Sequence, residues 1–131
     1  MRQAAKVVSR TIGEIAKVIK PGVTGLQLDK LAEEYIRDQG AIPGFLGLYA
    51  FPNTLCISPN EQVVHGIPST YELKDWDIVS IDCEFYINGY HGDSAYTFTI
   101  GEVDDNVLNL LKVTKESLYL GVEQAVVRNS I

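Results

Sequence analysis

Cysteine is nearly missing from this chain: two in 131 residues, one in each of the apolar stretches "TLCIS" and "SIDCEF". That excludes a disulfide framework and reads as two buried thiols of a reducing compartment. Neither cysteine stands at a zinc-ligand spacing. Positive charge is also short, with 11 Lys+Arg against 17 Asp+Glu for a net charge of −6. No basic run occurs, so nucleic acid and anionic membranes are poor partners. Long hydrophobic runs are absent too. None approaches the roughly 20 residues that cross a bilayer, and the opening "MRQAAKVVSR" carries no signal-like apolar region, so the expectation is a cytoplasmic protein with no membrane contact. Histidine is scarce: only His65 and His91 can supply an imidazole.

What remains is ordinary globular composition, 46% hydrophobic and 21% charged, in a length that suits one domain. Val8, Ile12, Ile15, Ala16 and Ile19 fall at helical spacing within residues 2–19, and "KPGVTG" stops that helix. Thr24 and Gln27 form a capping box for a second helix with the stripe Leu28, Leu31, Ala32, Tyr35 and Ile36, closed by Gly40. Residues 41–53, "AIPGFLGLYAFPN", read as a loop that is either packing filler or the wall of an apolar pocket. "TLCIS" and "QVVHGIP" are predicted strands about the turn "PNE", and a turn around "LKDWD" leads to a hairpin. Residues 105–127 return to helical periodicity through Val107, Leu110, Leu111, Thr114, Leu118 and Ala125. The order α-α-β-β-β-β-α with antiparallel neighbours is α+β.

The stretch "DCEFYINGYHGD", residues 82–93, fixes its own geometry. Asn88-Gly89 is the strongest short signal for a two-residue type I′ turn, because both central positions need positive φ. Ile87 then faces Tyr90, Glu84 faces Asp93 and Asp82 faces Ala95. By the two-residue alternation of strands, Asp82, Glu84, His91 and Asp93 share one face, while Ile81, Cys83, Phe85, Tyr96 and Phe98 share the face expected under the helices. Asp82 and Asp93 are diagonal neighbours about 7–8 Å apart at the backbone, within reach of one cation. Three carboxylates on one face repel unless a proton or a cation neutralises them. The same residues also suit a solvated polar hairpin face.

"CISPNEQVVHGIP", "LKDWDIVSIDCEFYINGYHGDSAYTFTIG" and "ESLYLGVEQAV" together resemble the N-terminal half of type I methionine aminopeptidases, over essentially the whole chain. The resemblance implies a pita-bread fold, in which two pseudo-symmetric α+β halves close on two divalent metal ions, and removal of the initiator methionine from nascent proteins. It implies that Asp82 ligates one ion and Asp93 bridges both, the ions activating water and polarising the scissile carbonyl. Carboxylate ligands suit Co, Mn, Fe or Zn. His65 matches the substrate-side catalytic histidine, although alone a histidine before Gly-Ile-Pro is more often a turn anchor than a catalyst. Phe45, Phe51 and Cys56 match positions of the pocket for the methionine side chain, and read alone they are equally ordinary core. His91 either supports a ligand or faces solvent. Glu84 departs from the small residue usual there and either adds charge or points past the site.

The resemblance implies further ligands, a histidine and two glutamates, that do not occur in this sequence after Asp93 in the required set. The expectation is that residues 1–131 are the N-terminal half of a methionine aminopeptidase-like catalytic domain, with the C-terminal half absent, and that "VVRNSI" is an interruption. A non-catalytic pita-bread module that binds peptides or proteins is the alternative; retention of Asp82, Asp93 and His65 favours the enzyme. Alone, the fragment is expected to bind metal weakly or not at all and to self-associate through uncovered apolar surface. It should also be inactive, because two carboxylates cannot hold two ions in fixed geometry. The check is turnover of a Met-Ala peptide by the purified chain with added Mn or Co; the expected outcome is none above an Asp93→Ala control.

Overall fold

The turn at Asn88-Gly89 organises the sheet. Both residues have positive φ, 50° and 84°, and they join β3 (Ile78–Ile87) to β4 (Tyr90–Thr99) in the computed structural model, which describes residues 1–128. The register follows from the turn: Ile87 faces Tyr90, Glu84 faces Asp93, and Asp82 faces Ala95. Along its other edge β3 pairs with β1 (Ile42–Pro43) and β2 (Leu55–Pro59), so among the described residues it is the central strand.

Alternate residues of β3 point into the core. Val79, Ile81, Cys83, Phe85 and Ile87 are buried, together with Leu55 and Ile57 of β2. Over them lie α1 (Arg2–Val18), through Ala4, Val7, Val8 and Ile15, and α2 (Gly25–Asp38), through Leu28, Ala32 and Ile36. Each large side chain buried this way contributes about 1.5–3 kcal/mol. Gly92 lets α1 approach: a Cβ there would lie 3.0 Å from both the Ala4 carbonyl oxygen and the Phe85 ring. The capping box of α2 forms as predicted, with Gln27 N–H donating to Thr24 Oγ1 and Thr24 N–H donating to Gln27 Oε1. Both cysteines are free and buried.

Several expectations need correction. "QVVHGIP" is not a strand, because His65 at φ 57° breaks the extended run. Residues 41–53 are not all loop: Ile42 and Pro43 add the short β1, and a 3₁₀ turn spans Leu48–Ala50. Ala16 is exposed, and α1 ends at Val18, its buried stripe being Ala4, Val7, Val8, Thr11 and Ile15. Tyr96 faces the helix side yet is 51% exposed; it stacks edge-on against Phe98 at 4.9 Å. The third helix, α3 (Asp105–Gln124), stops short of residue 127, is capped by Asp104, and buries none of its residues. Of "VVRNSI", residues 129–131 lie outside the described residues. Among the described residues no helix is long and apolar enough to cross a membrane.

A buried acid ties the second helix to the sheet. Asp29 in α2 accepts from Thr54 N–H at 2.9 Å, Leu55 N–H at 2.8 Å and Asn53 Nδ2 at 2.8 Å. These bonds set where β2 begins. Asp29→Ala would leave two buried amides without an acceptor, a cost of about 3 kcal/mol. A urea melt of the purified variant should show that loss as a lower midpoint at unchanged slope.

Candidate functional site

On the outer face of the sheet small polar residues and carboxylates meet. β2 contributes Cys56 and Ser58, opposite Asp82 and Ser80 of β3. β4 contributes Thr97 opposite Ser80, Ala95 opposite Asp82 and Asp93 opposite Glu84. Ser80 Oγ and Thr97 Oγ1 are hydrogen-bonded at 2.8 Å.

Asp82 and Asp93 come together as the register requires, close enough for the Asp93 carboxyl to act on that of Asp82. Two carboxylates this close disfavour each other's charge, a conflict that a proton or a cation relieves. Burial is the main reason the Asp82 carboxyl is pushed up to about 6; the charge and hydrogen bond of Asp93 add to it. His65 and the Cys83 amide act in the opposite direction. Carboxylate oxygens are the donors a hard or borderline divalent cation takes. The donor set therefore fits a divalent ion in kind, while among the described residues no cluster of three or more metal-ligating side chains forms.

Glu84 points past this pair. His91 Nδ1–H donates to Glu84 Oε1 at 2.8 Å, and the His91 ring lies beside Tyr86 at 5.1 Å. The Glu84 carboxyl also packs on the backbone of Gly44, where a Cβ would sit 2.9 Å from its carboxyl carbon.

His65 borders a cleft of about 970 Å³ that Asp82, Ser80, Thr97, Lys112 and Lys115 also line. Its φ of 57° is costly for a side chain of this kind, about 1–3 kcal/mol, and persists only where neighbours hold it. Cys56 is buried directly opposite Asp82. Burial first, then the Asp82, Asp29 and Asp93 charges, push its thiol up to about 11, so it is an apolar wall and not a nucleophile. Cys83, on the core side, is pushed up to about 12, mainly by burial. Phe45 and Phe51 meet edge to face at 6.2 Å across the 3₁₀ turn. They do not line the cleft that His65 and Asp82 share, and neither does Cys56.

The structure thus brings Asp82, Asp93 and His65 to one place, with Cys56 beside them and the Phe45–Phe51 pair as a separate cluster next to Gly44. Sequence reasoning missed Ser58, Ser80 and Thr97. For Ser80 and Thr97 the signal was present, each standing two residues along its strand from the facing pair Asp82 and Ala95; Ser58 needed the pairing of β2 with β3.

A raised carboxyl has a definite effect on stability. Below the unfolded value of about 4 Asp82 is protonated in both states, and its native-state preference for the proton is fully expressed. As pH rises toward about 6 the native state holds more protons than the unfolded one, so stability falls with pH across that window and levels above it. With a chelator present, urea midpoints from pH 4 to 7 should therefore fall more steeply for the natural chain than for Asp82→Asn. Parallel profiles would contradict the raised Asp82.

Comparison with known proteins agrees with this geometry. Residues 1–130 match metallopeptidase family M24. The chain is 47% identical over 131 residues to a methionine aminopeptidase of Clostridium perfringens, covering 100% of this chain and 53% of that protein. It is 50% identical over 125 residues to methionine aminopeptidase 1 of Bacillus subtilis, covering 95% of this chain and 50% of that protein. The crystal structure of the Thermotoga maritima methionine aminopeptidase superposes with a TM-score of 0.90 at 35% identity, over 96% of this chain and 51% of that one. The chain spans about half the length of the curated relatives it matches. A match through nearly every residue, joined to a carboxylate pair on an outer hairpin face within a pita-bread half, carries one conclusion: the chain belongs to metallopeptidase family M24.

Proposed function

We propose that residues 1–131 form the N-terminal half of a catalytic domain that removes the N-terminal methionine from nascent proteins, as a metallo-aminopeptidase. The observation that carries this reading is the Asp82–Asp93 pair beside His65, in a chain so similar to methionine aminopeptidases. Asp82 would hold one divalent ion and Asp93 would bridge two, with the remaining ligands supplied by the second half of the fold. Bound there, Co, Mn, Fe or Zn would supply Lewis acidity and a lowered water pKa.

The residues of this chain have separable tasks. Asp82 and Asp93 present their carboxylate oxygens across one diagonal of the hairpin, a geometry fixed by backbone pairing. His65, on the cleft side of Asp82, donates a hydrogen bond to the substrate amide region as charge builds on its carbonyl oxygen. Cys56, Phe45 and Phe51 offer polarisable, apolar surface for the methionine thioether. The substrate is the N-terminal methionyl peptide, and no nucleic acid or membrane takes part.

In the protein that carries this chain together with the second half of the fold, Asp82→Asn and Asp93→Asn should each remove most activity and most bound metal. His65→Ala should lower kcat about 10²-fold with the metal retained. Metal content by atomic emission, read beside kcat for a Met-Ala peptide, separates the two roles; equal metal loss in all three variants would defeat the assignment of His65.

A further inference from the structure

We propose that Ser58 is a positioning residue: its hydroxyl holds the Gly66 peptide on the edge of β2 and thereby fixes His65 beside Asp82. The positive φ of His65 still costs strain for a non-glycine residue. Something adjacent has to hold it. Gly66 N–H donates to Ser58 Oγ at 2.9 Å, and the Gly66 carbonyl accepts from Ile57 N–H at 2.8 Å. These two bonds tie the peptide units on either side of the Gly66 Cα to successive residues of β2.

The contact is close enough to exclude every other residue at position 66. A Cβ there would fall 2.1 Å from the Ile57 carbonyl oxygen. Both partners are buried, Ser58 at 3% exposure, so the Gly66 amide has no ready exchange of its acceptor for solvent. The upstream end of the loop is anchored independently. Asn60 donates through Nδ2 to Asp77 and accepts at Oδ1 from Ile78 N–H. With Asn60 fixed by Asp77 and Gly66 fixed by Ser58, only the few residues between them can move, and His65 sits next to the second anchor. Ser58 lies on the same outer face as Asp82 and opposite Ser80, so the anchor and the carboxylate pair share one rigid strand register.

The effect of Ser58 on turnover rests on the peptidase reading above; its hold on His65 does not. Nuclear magnetic resonance of the purified chain tests the hold. In the natural chain the His65 backbone should be rigid, with an order parameter near the ~0.85 of ordered backbone. In Ser58→Ala the Gly66 amide should exchange about ten-fold faster and the His65 order parameter should drop toward ~0.6. The Thr54 and Leu55 amides, held by Asp29, should be unchanged and so report an intact fold. Ser58→Thr, which keeps the acceptor, should restore both values. A His65 that is mobile in the natural chain, or unchanged in Ser58→Ala while Gly66 exchange quickens, would overturn the proposal.

In the complete enzyme, Ser58→Ala should lower kcat with little change in KM or in bound metal. Combined with His65→Ala it should cost nothing further, because the hydroxyl acts only through the imidazole. Additive losses would overturn the link to turnover. If the natural enzyme cleaves no methionyl peptide, the peptidase reading fails, and the order parameters still decide whether Ser58 positions His65.

Discussion

The register of the β3–β4 hairpin is the constraint on which everything else rests. Strand side chains alternate with a period of two, so a slip of one residue would turn Asp82, Glu84 and their neighbours into the core and put Phe85 and Ile81 into water. Two features prevent the slip. Asn88 and Gly89 both occupy positive φ, which few other pairs tolerate together. The inner face, Val79 through Ile87 at alternate positions, is buried under α1 and α2. Turn chemistry and burial thus specify the same pairing, and the carboxylates of the outer face are carried along by it.

That arrangement lets a repulsive pair exist in a folded chain. Asp82 and Asp93 are held near each other by backbone hydrogen bonds on the two strands, and the Asp82 carboxyl is raised by burial first and then by the Asp93 charge. Proteins carry such conflicts at functional sites and offset them elsewhere. Here the offset is visible in Phe85, Ile81, Ile15 and Ile36, all essentially inaccessible. Asp29 adds a second kind of support. By accepting both amides at the entry to β2, it fixes the strand that supplies Cys56 and Ser58 without contributing any atom to the outer face.

Much of this was legible before any coordinates. Asn-Gly between alternating strands determines a ribbon and its two faces, and the pairing of Asp82, Glu84, His91 and Asp93 follows by counting. The helix caps at Thr24 and Gly40 were legible because their signals are local. Other features depend on residues far apart in sequence. Asp29 looks like any surface acid until its partners, 24 to 26 positions away, are folded onto it. "QVVHGIP" has the β-branched composition of a strand, but its course is set by the Ser58 and Ile57 contacts to Gly66 and by the positive φ of His65, none of which propensity can see. Tyr96 is a similar case: its place on the helix side of the sheet follows by counting, but its exposure of 51% does not.

The departure at Glu84 shows how a third acid fits beside the pair without joining it. A carboxylate aimed at Asp82 and Asp93 would raise the cost of ionising them. Instead Glu84 is drawn sideways to His91 by a 2.8 Å bond and is covered by the backbone at Gly44, whose amide donates to the Glu84 carbonyl at 2.8 Å. Gly44 begins the segment that carries Phe45 and Phe51, and its lack of a Cβ is what allows the carboxyl to pack there. The side chain therefore fills a contact between the hairpin and that segment, while its charge is spread toward an exposed imidazole. A small residue at position 84 would leave that space open. Position 84 thus joins the carboxylate face to the aromatic segment, and the spacing of those two parts depends on a side chain bonded to His91 and packed on Gly44.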